Sequence, residues 1–331
     1  MPDLHRPRIG FLGTGWIGRH RMEAIVNTGA VEVAAIADPS PEMAAEAHKL
    51  APHAQLVSTL DELLDAGLDG VVIATPSALH AEQSIQALKR GAAVFCQKPL
   101  GRTAAEVQAV VDAARSADRL LAVDLSYRFT EGMKRIRQLL ASGALGQIYG
   151  VDLVFHNAYG PDKAWFYDPA LSGGGCVMDL GVHLVDLALW SLDFPEVTSI
   201  SSKLLAGGKP LAGRGDTVED YAVATLELET GAIVRLACSW KLHAGCEAEI
   251  SAAFYGTQGG AALRNVGGSF YDFTAERFSG TQSETFVSPP DEWGGRAAAD
   301  WARRLAAGEK YDPSAERLVE VAAVLDRIYG R

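Results

Sequence analysis

Arg8-Ile9-Gly10-Phe11-Leu12-Gly13-Thr14-Gly15-Trp16-Ile17-Gly18 is the stretch on which the fold turns. Its first five residues read as a short buried strand. The G-x-G-x-x-G that follows opens a helical pattern, the one context in which this spacing has a mechanism. Gly13 permits a tight turn, Gly15 lets backbone N–H groups approach a pyrophosphate, and Gly18 allows close helix packing. Trp16 and Ile17 begin the helix, whose N-terminus offers partial positive charge to an anion. With 34 glycines in 331 residues, the pattern alone arises by chance. Asp38 adds discrimination: it lies twenty residues beyond Gly18, at the end of the next strand, where a carboxylate takes the ribose hydroxyls of an adenosine. A 2′-phosphate would be repelled there, and Pro39-Ser40-Pro41 bring no arginine to receive it, so NAD is expected over NADP. The bland alternative is a glycine-rich turn with an unrelated surface aspartate.

Outward from this turn, six short β-branched runs alternate with helical patterns, at roughly 8–12, 31–37, 55–57, 70–74, 93–97 and 120–126. That alternation is the signature of a parallel sheet wound with crossover helices. Thr59 to Glu62 and Thr103 to Glu106 read as capping boxes, and Ser40-Pro41 as an N-cap followed by proline at the first helical position. After Tyr127 the rhythm changes. Helical stretches at about 131–142 and 176–192 are followed by alternating strands at 197–205, 221–229, 233–241 and 247–255, which read as antiparallel sheet. Two helices, near 296–307 and 314–329, close the chain, the last in a position to return to the first domain. The expected organisation is an α/β Rossmann dinucleotide-binding domain over 1–126 and an α+β domain with an open antiparallel sheet over 127–331.

Composition bounds the function. The net charge of −11, from 41 acidic and 30 basic residues without a basic run, disfavours nucleic-acid binding. The N-terminus lacks the apolar core of a secretory signal, and no stretch of eighteen apolar residues suggests a membrane span. Cys96, Cys176, Cys238 and Cys246 show neither paired spacing nor histidines at zinc-finger distance, so a soluble, cytoplasmic protein is expected.

Chemistry gathers at two further places. Ala74-Thr75-Pro76, with His80 four residues on, ends the fourth strand, and Gln97-Lys98-Pro99 ends the fifth. Ligands of open α/β sheets bind at the carboxyl ends of the strands. Thr75, Pro76, His80, Gln97 and Lys98 are therefore expected along a bound dinucleotide, with Lys98 toward its nicotinamide half. There a lysine can hydrogen-bond or deprotonate a substrate hydroxyl. The alternatives are a solvated surface lysine and a histidine that only caps or packs. The second place is Gly173-Gly174-Gly175-Cys176-Val177-Met178-Asp179-Leu180-Gly181-Val182-His183-Leu184-Val185-Asp186. Helical spacing puts Asp179, His183 and Asp186 on one face of an otherwise apolar helix. Buried Asp and His persist there when paired or when they do chemistry. A carboxylate one turn from an imidazole can hold its tautomer and suit it to proton removal from an alcohol. A metal site is the weaker alternative, because a zinc helix shows two histidines and a glutamate that this one lacks. A core histidine satisfied by Asp186 is another.

Together, G-T-G-W-I-G, Asp38, A-T-P-x-x-x-H, Q-K-P and G-G-G-x-x-x-D-x-G-x-H-x-x-D resemble the Gfo/Idh/MocA oxidoreductases, in the family's order and over nearly the whole chain. The resemblance implies a pyridine-nucleotide enzyme that oxidises or reduces one carbinol of a sugar, inositol or related polyol. It also implies assembly as a homodimer or homotetramer. By the same resemblance Lys98 binds or polarises the hydroxyl, His183 acts as acid and base, and Asp179 positions substrate or imidazole. One departure stands out: the family's commonest triplet is Glu-Lys-Pro, and here Gln97 replaces the glutamate, removing a negative charge beside the lysine. Tyr127-Arg128-Phe129 resembles the family's interdomain stretch, so Arg128 faces the pocket or pairs with an acid. The loop from His156 to Asp168 offers Asn157, Tyr159 and Trp165 as sugar-recognising groups, or else as an interface loop. Two relatives of different function stay open, an NAD-using glycosidase that oxidises transiently and a non-catalytic NAD-sensing regulator.

Overall fold

The computed structural model describes residues 6–211 and 215–331. Residues 1–5, part of the N-terminal stretch read above as lacking a signal, lie outside the described residues. The chain divides into two compact units: 1–101 with 105–124 and 295–319, and 102–104 with 125–294 and 320–331.

The first unit begins with strand β1 (Arg8–Leu12), helix α1 (Trp16–Val26), β2 (Glu32–Ala37), α2 (Pro41–His48), β3 (Gln55–Val57) and α3 (Leu60–Asp65). It continues with β4 (Gly70–Ile73), α4 (Ser77–Lys89), β5 (Ala93–Cys96), α5 (Ala104–Ala117) and β6 (Leu121–Val123). The strands pair in parallel in the order β3-β2-β1-β4-β5-β6, which places the reversal of strand order between β1 and β4. Ligands of such sheets bind in the crevice at that switch point. β4 and β5 are wholly buried, as their near-continuous apolar runs require of strands covered on both faces. Local chemistry sets the helix starts. The Ser40 side chain accepts from Met43 N ahead of Pro41, and Thr59 accepts from Glu62 N.

Helix α6 (Glu131–Ala141) and β7 (Ile148–Asn157) open the second unit, followed by α7 (Pro169–Ser172), a π-helical turn over Val177–Gly181 and α8 (Val182–Ser191). The remaining strands are β8 (Val197–Ala206), β9 (Lys209–Pro210), β10 (Tyr221–Leu228), β11 (Ile233–Ser239), β12 (Ala248–Gly256), β13 (Gly260–Asn265), β14 (Phe273–Ser279) and β15 (Gln282–Val287). They form one sheet in the order β15-β14-β13-β12-β7-β11-β10-β8-β9. The sequence reading of this sheet needs two corrections. The sequence assigns no strand to 148–155 and reads His156 to Asp168 as loop; the structure has a ten-residue strand, β7, that ends at Asn157 and pairs in parallel with β11, so the sheet is mostly rather than wholly antiparallel. β9 and β13 to β15 lie outside that reading: β9 is two residues long, β13 reads G-A-A-L-R-N without a β-branched residue, and β15 reads Q-S-E-T-F-V and is largely exposed.

Two helices follow. α9 (Arg296–Ala306) joins the first unit, where fully buried Trp301 lies 5.9 Å from the Phe95 ring and beneath Gly70, whose Cβ would stand 2.9 Å from it. α10 (Arg317–Ile328) gives Val321, Val324, Leu325 and Ile328 to the second unit's core. No helix among the described residues is long and apolar enough to cross a membrane.

Candidate functional site

In the first unit the glycine turn is built as its sequence demands. A Cβ on Gly13 would come within 2.6 Å of the Ala74 carbonyl oxygen, and one on Gly18 within 2.4 Å of the Gly13 carbonyl oxygen. Gly13 also has φ +84°, a left-handed conformation that favours glycine. Gly15 differs: a Cβ there would meet no protein atom within 4 Å. Packing does not call for glycine at that position, whereas approach of a phosphate to the backbone does. Trp16, 62% exposed, stands at the start of α1 with its ring stacked 5.8 Å from His20, and Ile17 behind it is half-buried.

Asp38 follows β2 and closes the turn. Its Oδ2 accepts from Thr14 N at 2.6 Å and from Thr14 Oγ1 at 3.1 Å, while Oδ1 accepts from Ser40 N at 2.8 Å. Two carboxylate oxygens have about four acceptor positions, so these three bonds leave capacity for a ribose hydroxyl. The residue expected to choose the nucleotide therefore also holds the turn in shape. The unfilled approach at Gly15, the open α1 N-terminus and Asp38 fit a dinucleotide.

Along the same carboxyl edge, Pro76 precedes α4 and the Thr75 hydroxyl donates to Gln83 Oε1 at 2.6 Å. His80 is 1% exposed, with Nε2 2.7 Å from the Thr75 carbonyl and Nδ1 2.7 Å from the Pro99 carbonyl. Its ring ties the loop after β4 to the loop after β5. Burial holds the imidazole below its ordinary value, against the pull of the two carbonyls. Lys98 is half-buried and joined to Pro99 by a cis peptide bond. Gln97 before it is buried and donates from Nε2 to Asp124 Oδ2 at 2.8 Å.

The second unit carries the Asp–His segment, and its local geometry departs from a uniform helix. Val182 N bonds back to Val177 O, the five-residue step of a π turn, and Asp179 sits within that turn. Three glycines and a buried carboxylate set it up. A Cβ on Gly175 would fall 1.9 Å from the Glu219 carbonyl oxygen, and one on Gly174 2.0 Å from Tyr329 Oη. The Glu219 carboxylate accepts from Gly175 N at 3.0 Å, Val177 N at 2.9 Å and Tyr329 Oη at 2.7 Å. Burial raises Glu219 above its ordinary value, although these three donors oppose the rise. Half-buried Asp179 accepts from Trp240 Nε1 at 3.0 Å. His183 is 6% exposed, and the Tyr127 ring packs edge-on to it at 4.9 Å.

Asp186 is paired with Arg128. Both its oxygens accept from Arg128, at 2.8 Å from Nε and by a second bond from Nη2, and the guanidinium also lies over the Trp190 and Phe194 rings. This is the acid pairing considered for Arg128, and it occupies the carboxylate that the bland alternative gave to the His183 imidazole. The cause is non-local, since Arg128 is 58 residues from Asp186 in sequence. Asn157 Oδ1 accepts from Tyr159 N, exposed Tyr159 donates to Glu247, and Trp165 stacks on Phe166 at 3.8 Å. Among the described residues no group of three or more His, Cys, Asp or Glu side chains is arranged to hold a metal. Sequence reasoning missed Asp124, Glu219, Trp240 and Tyr329, which become visible only when strands and helices distant in sequence meet.

Comparisons with known proteins agree with this architecture. Residues 7–125 match the family model described as an oxidoreductase family with an NAD-binding Rossmann fold, and residues 133–262 match the GFO/IDH/MocA C-terminal domain. The chain is 30% identical to D-glucoside 3-dehydrogenase of Escherichia coli (strain K12) over 61% of its own length, and the match spans 60% of that relative, under two thirds of it. It is 28% identical to inositol 2-dehydrogenase of Rhodococcus erythropolis (strain PR4 / NBRC 100887) over the full length of both chains. A levoglucosan dehydrogenase solved in complex with NADH shares its fold, with TM-score 0.84 at 22% identity over 98% of this chain and 96% of that one. With both halves matched and their order kept, the chain belongs to the Gfo/Idh/MocA oxidoreductase family.

Proposed function

We propose that the protein is an NAD-dependent dehydrogenase that oxidises or reduces one carbinol of a sugar, inositol or related polyol. The observation that carries this reading is a single carboxyl edge of the first unit's sheet. It collects the glycine turn after β1, Asp38 after β2, Thr75-Pro76 after β4 and Lys98 after β5. A dinucleotide would lie along that edge, with its pyrophosphate at Gly13 to Gly18 and its adenosine ribose at Asp38. The nicotinamide, when bound, supplies the hydride chemistry.

The chain's own groups then have proton and positioning work. Lys98 binds the reacting hydroxyl and, with His183, passes its proton to or from solvent. Asp179, held by Trp240, orients the substrate or the imidazole. Asn157, Tyr159 and Trp165 meet the remaining hydroxyls and ring faces. Asp38 favours NAD, because a 2′-phosphate brings about two negative charges toward its carboxylate. The names of the two relatives, a glucoside dehydrogenase and an inositol dehydrogenase, support a polyhydroxylated ring as substrate.

The experiment is a screen of NAD and NADP against inositols, aldoses, glucosides and anhydrosugars, read by absorbance of the reduced nicotinamide. Reduction of NAD by at least one polyol, with NADP slower, is expected. No reduction with any of them, together with release of nitrophenol from nitrophenyl glycosides, would replace this reading with the glycosidase.

A further inference from the structure

Behind Lys98 lies a buried polar cluster that the proposed reaction does not use. Asp124, the residue after β6, is 2% exposed. Its Oδ2 accepts from Arg21 Nε at 2.5 Å and from Gln97 Nε2 at 2.8 Å. Arg21 lies on α1 and is 6% exposed; it also donates to His20 Nδ1 at 2.8 Å. The other carboxylate oxygen, Oδ1, is buried and has no hydrogen-bond partner among the described residues. Burying an ion pair costs desolvation, and an unmet carboxylate oxygen adds to that cost, so such a cluster calls for a reason.

We propose that Asp124 is the positioning carboxylate of the Lys98 turn, with Gln97 as the donor that couples the two. This rests on the reading of Lys98 as the group that handles the substrate hydroxyl. One side of Lys98 is held through Gln97 to Asp124 and, by way of Arg21, to the helix that starts at the glycine turn. The other side is held at the Pro99 carbonyl by His80. The charged and titratable groups around the cluster are Arg21, His20 and Glu23 from α1, Cys96 from β5 and, beside Lys98, His80 from α4. Burial pushes the Cys96 thiol up to about 12 and, with Arg21, lowers His20, so neither adds charge near neutrality. Asp124 is the anion in direct contact with Gln97, and it is balanced by Arg21.

Position 97 is thereby constrained. A glutamate there would set a second carboxylate against Asp124 at a 2.8 Å contact with one guanidinium for both. Glutamine donates instead, and the negative charge stays one layer behind the lysine.

The test is a double-mutant cycle of Gln97→Glu, Asp124→Asn and the pair together, read by thermal unfolding and by kcat against pH with a polyol substrate. Gln97→Glu is expected to lower the unfolding midpoint and cut kcat roughly 10- to 100-fold, with KM nearly unchanged. Adding Asp124→Asn leaves one carboxylate against the one guanidinium again, raises the midpoint and returns kcat to within about 5-fold of the wild type. Asp124→Asn alone withdraws a negative charge from the neighbourhood of the lysine ammonium. The acid-side limb of kcat therefore moves to lower pH, by roughly 0.3 to 1 unit; in the double variant it moves to higher pH. Lack of rescue in the double variant, or an Asp124→Asn profile that coincides with the wild type, would overturn the inference. If Gln97→Glu does not fold, the isosteric Asp124→Asn decides by its pH profile. Lys98→Ala serves as the control. Full turnover in that variant overturns the reading of the lysine, whereas crippled turnover with an unmoved Asp124→Asn profile overturns the role of Asp124 alone.

Discussion

The glycine-rich turns at Gly13 to Gly18 and Gly173 to Gly175 both lie ahead of helical segments, and glycine serves opposite purposes in them. At Gly173 to Gly175 each missing side chain is replaced by the protein itself: Arg102, Tyr329 and Glu219 stand within 2.7 Å of where the three Cβ atoms would be. At Gly13 to Gly18 the outer two glycines are packed in the same way, while the middle one, Gly15, faces no protein atom within 4 Å. A glycine demanded by neighbouring protein atoms belongs to the fold. A glycine that no protein atom demands, at the N-terminus of a helix whose first turn is tied to an aspartate, is the one we propose the cofactor demands.

Substitutions sharpen that contrast, beginning with the largest effect. Gly175→Ala forces its Cβ into the Glu219 backbone, and a loss of about 3 to 5 kcal/mol of stability is expected in thermal or denaturant unfolding. A loss under about 1 kcal/mol would show that the second turn has room after all. Asp38→Ala removes the acceptors of Thr14 N and Ser40 N as well as the ribose partner. It should weaken NAD binding by roughly 10- to 100-fold, and the damage to the turn should keep NADP from gaining as much as NAD loses. Gly15→Ala is expected to leave the unfolding midpoint in place and weaken NAD by about 10-fold, followed by fluorescence of exposed Trp16. An equal loss of stability in Gly15→Ala and Gly175→Ala would break the comparison.

The smallest effect concerns pH. Glu219 is raised above its ordinary 4.5 by burial, so its stabilising contribution is complete below that value and is lost as pH climbs through the folded value. Glu316 in the first unit has the opposite sign: a hydrogen bond from Arg115 holds it below 4.5, and its contribution is lost as pH falls. In stability measured against pH, Glu219→Gln should remove a slope of at most about 1.4 kcal/mol per pH unit on the alkaline side of 4.5, apart from any constant offset. An unchanged slope would mean that Glu219 stays ionised throughout.

The same contrast governs how far the sequence could be read. All six strands of the first unit and the Ser40 and Thr59 caps were legible, because runs of β-branched residues and capping pairs are local signals. In the second unit the apolar helix and four strands were legible, and so was the presence of Asp179 and His183 on it. The π turn was not, since the 3.6-residue period fits a straight helix equally well through Val177 to Gly181. Nor was the partner of Asp186, or the carboxylate that supports the glycines, 44 residues from Gly175. Asp124 lies 27 residues from Gln97 and 103 from Arg21, and no spacing rule reaches that far.

Central to the account is our proposal that Lys98 and His183 act on the same substrate hydroxyl. The direct measurement is kcat/KM with NAD and a polyol for Lys98→Ala, His183→Ala and the double variant. Groups that act as a unit are expected to lose roughly 10²- to 10⁴-fold singly and hardly more together. Losses that multiply in the double variant, or a single variant with wild-type turnover, would contradict it.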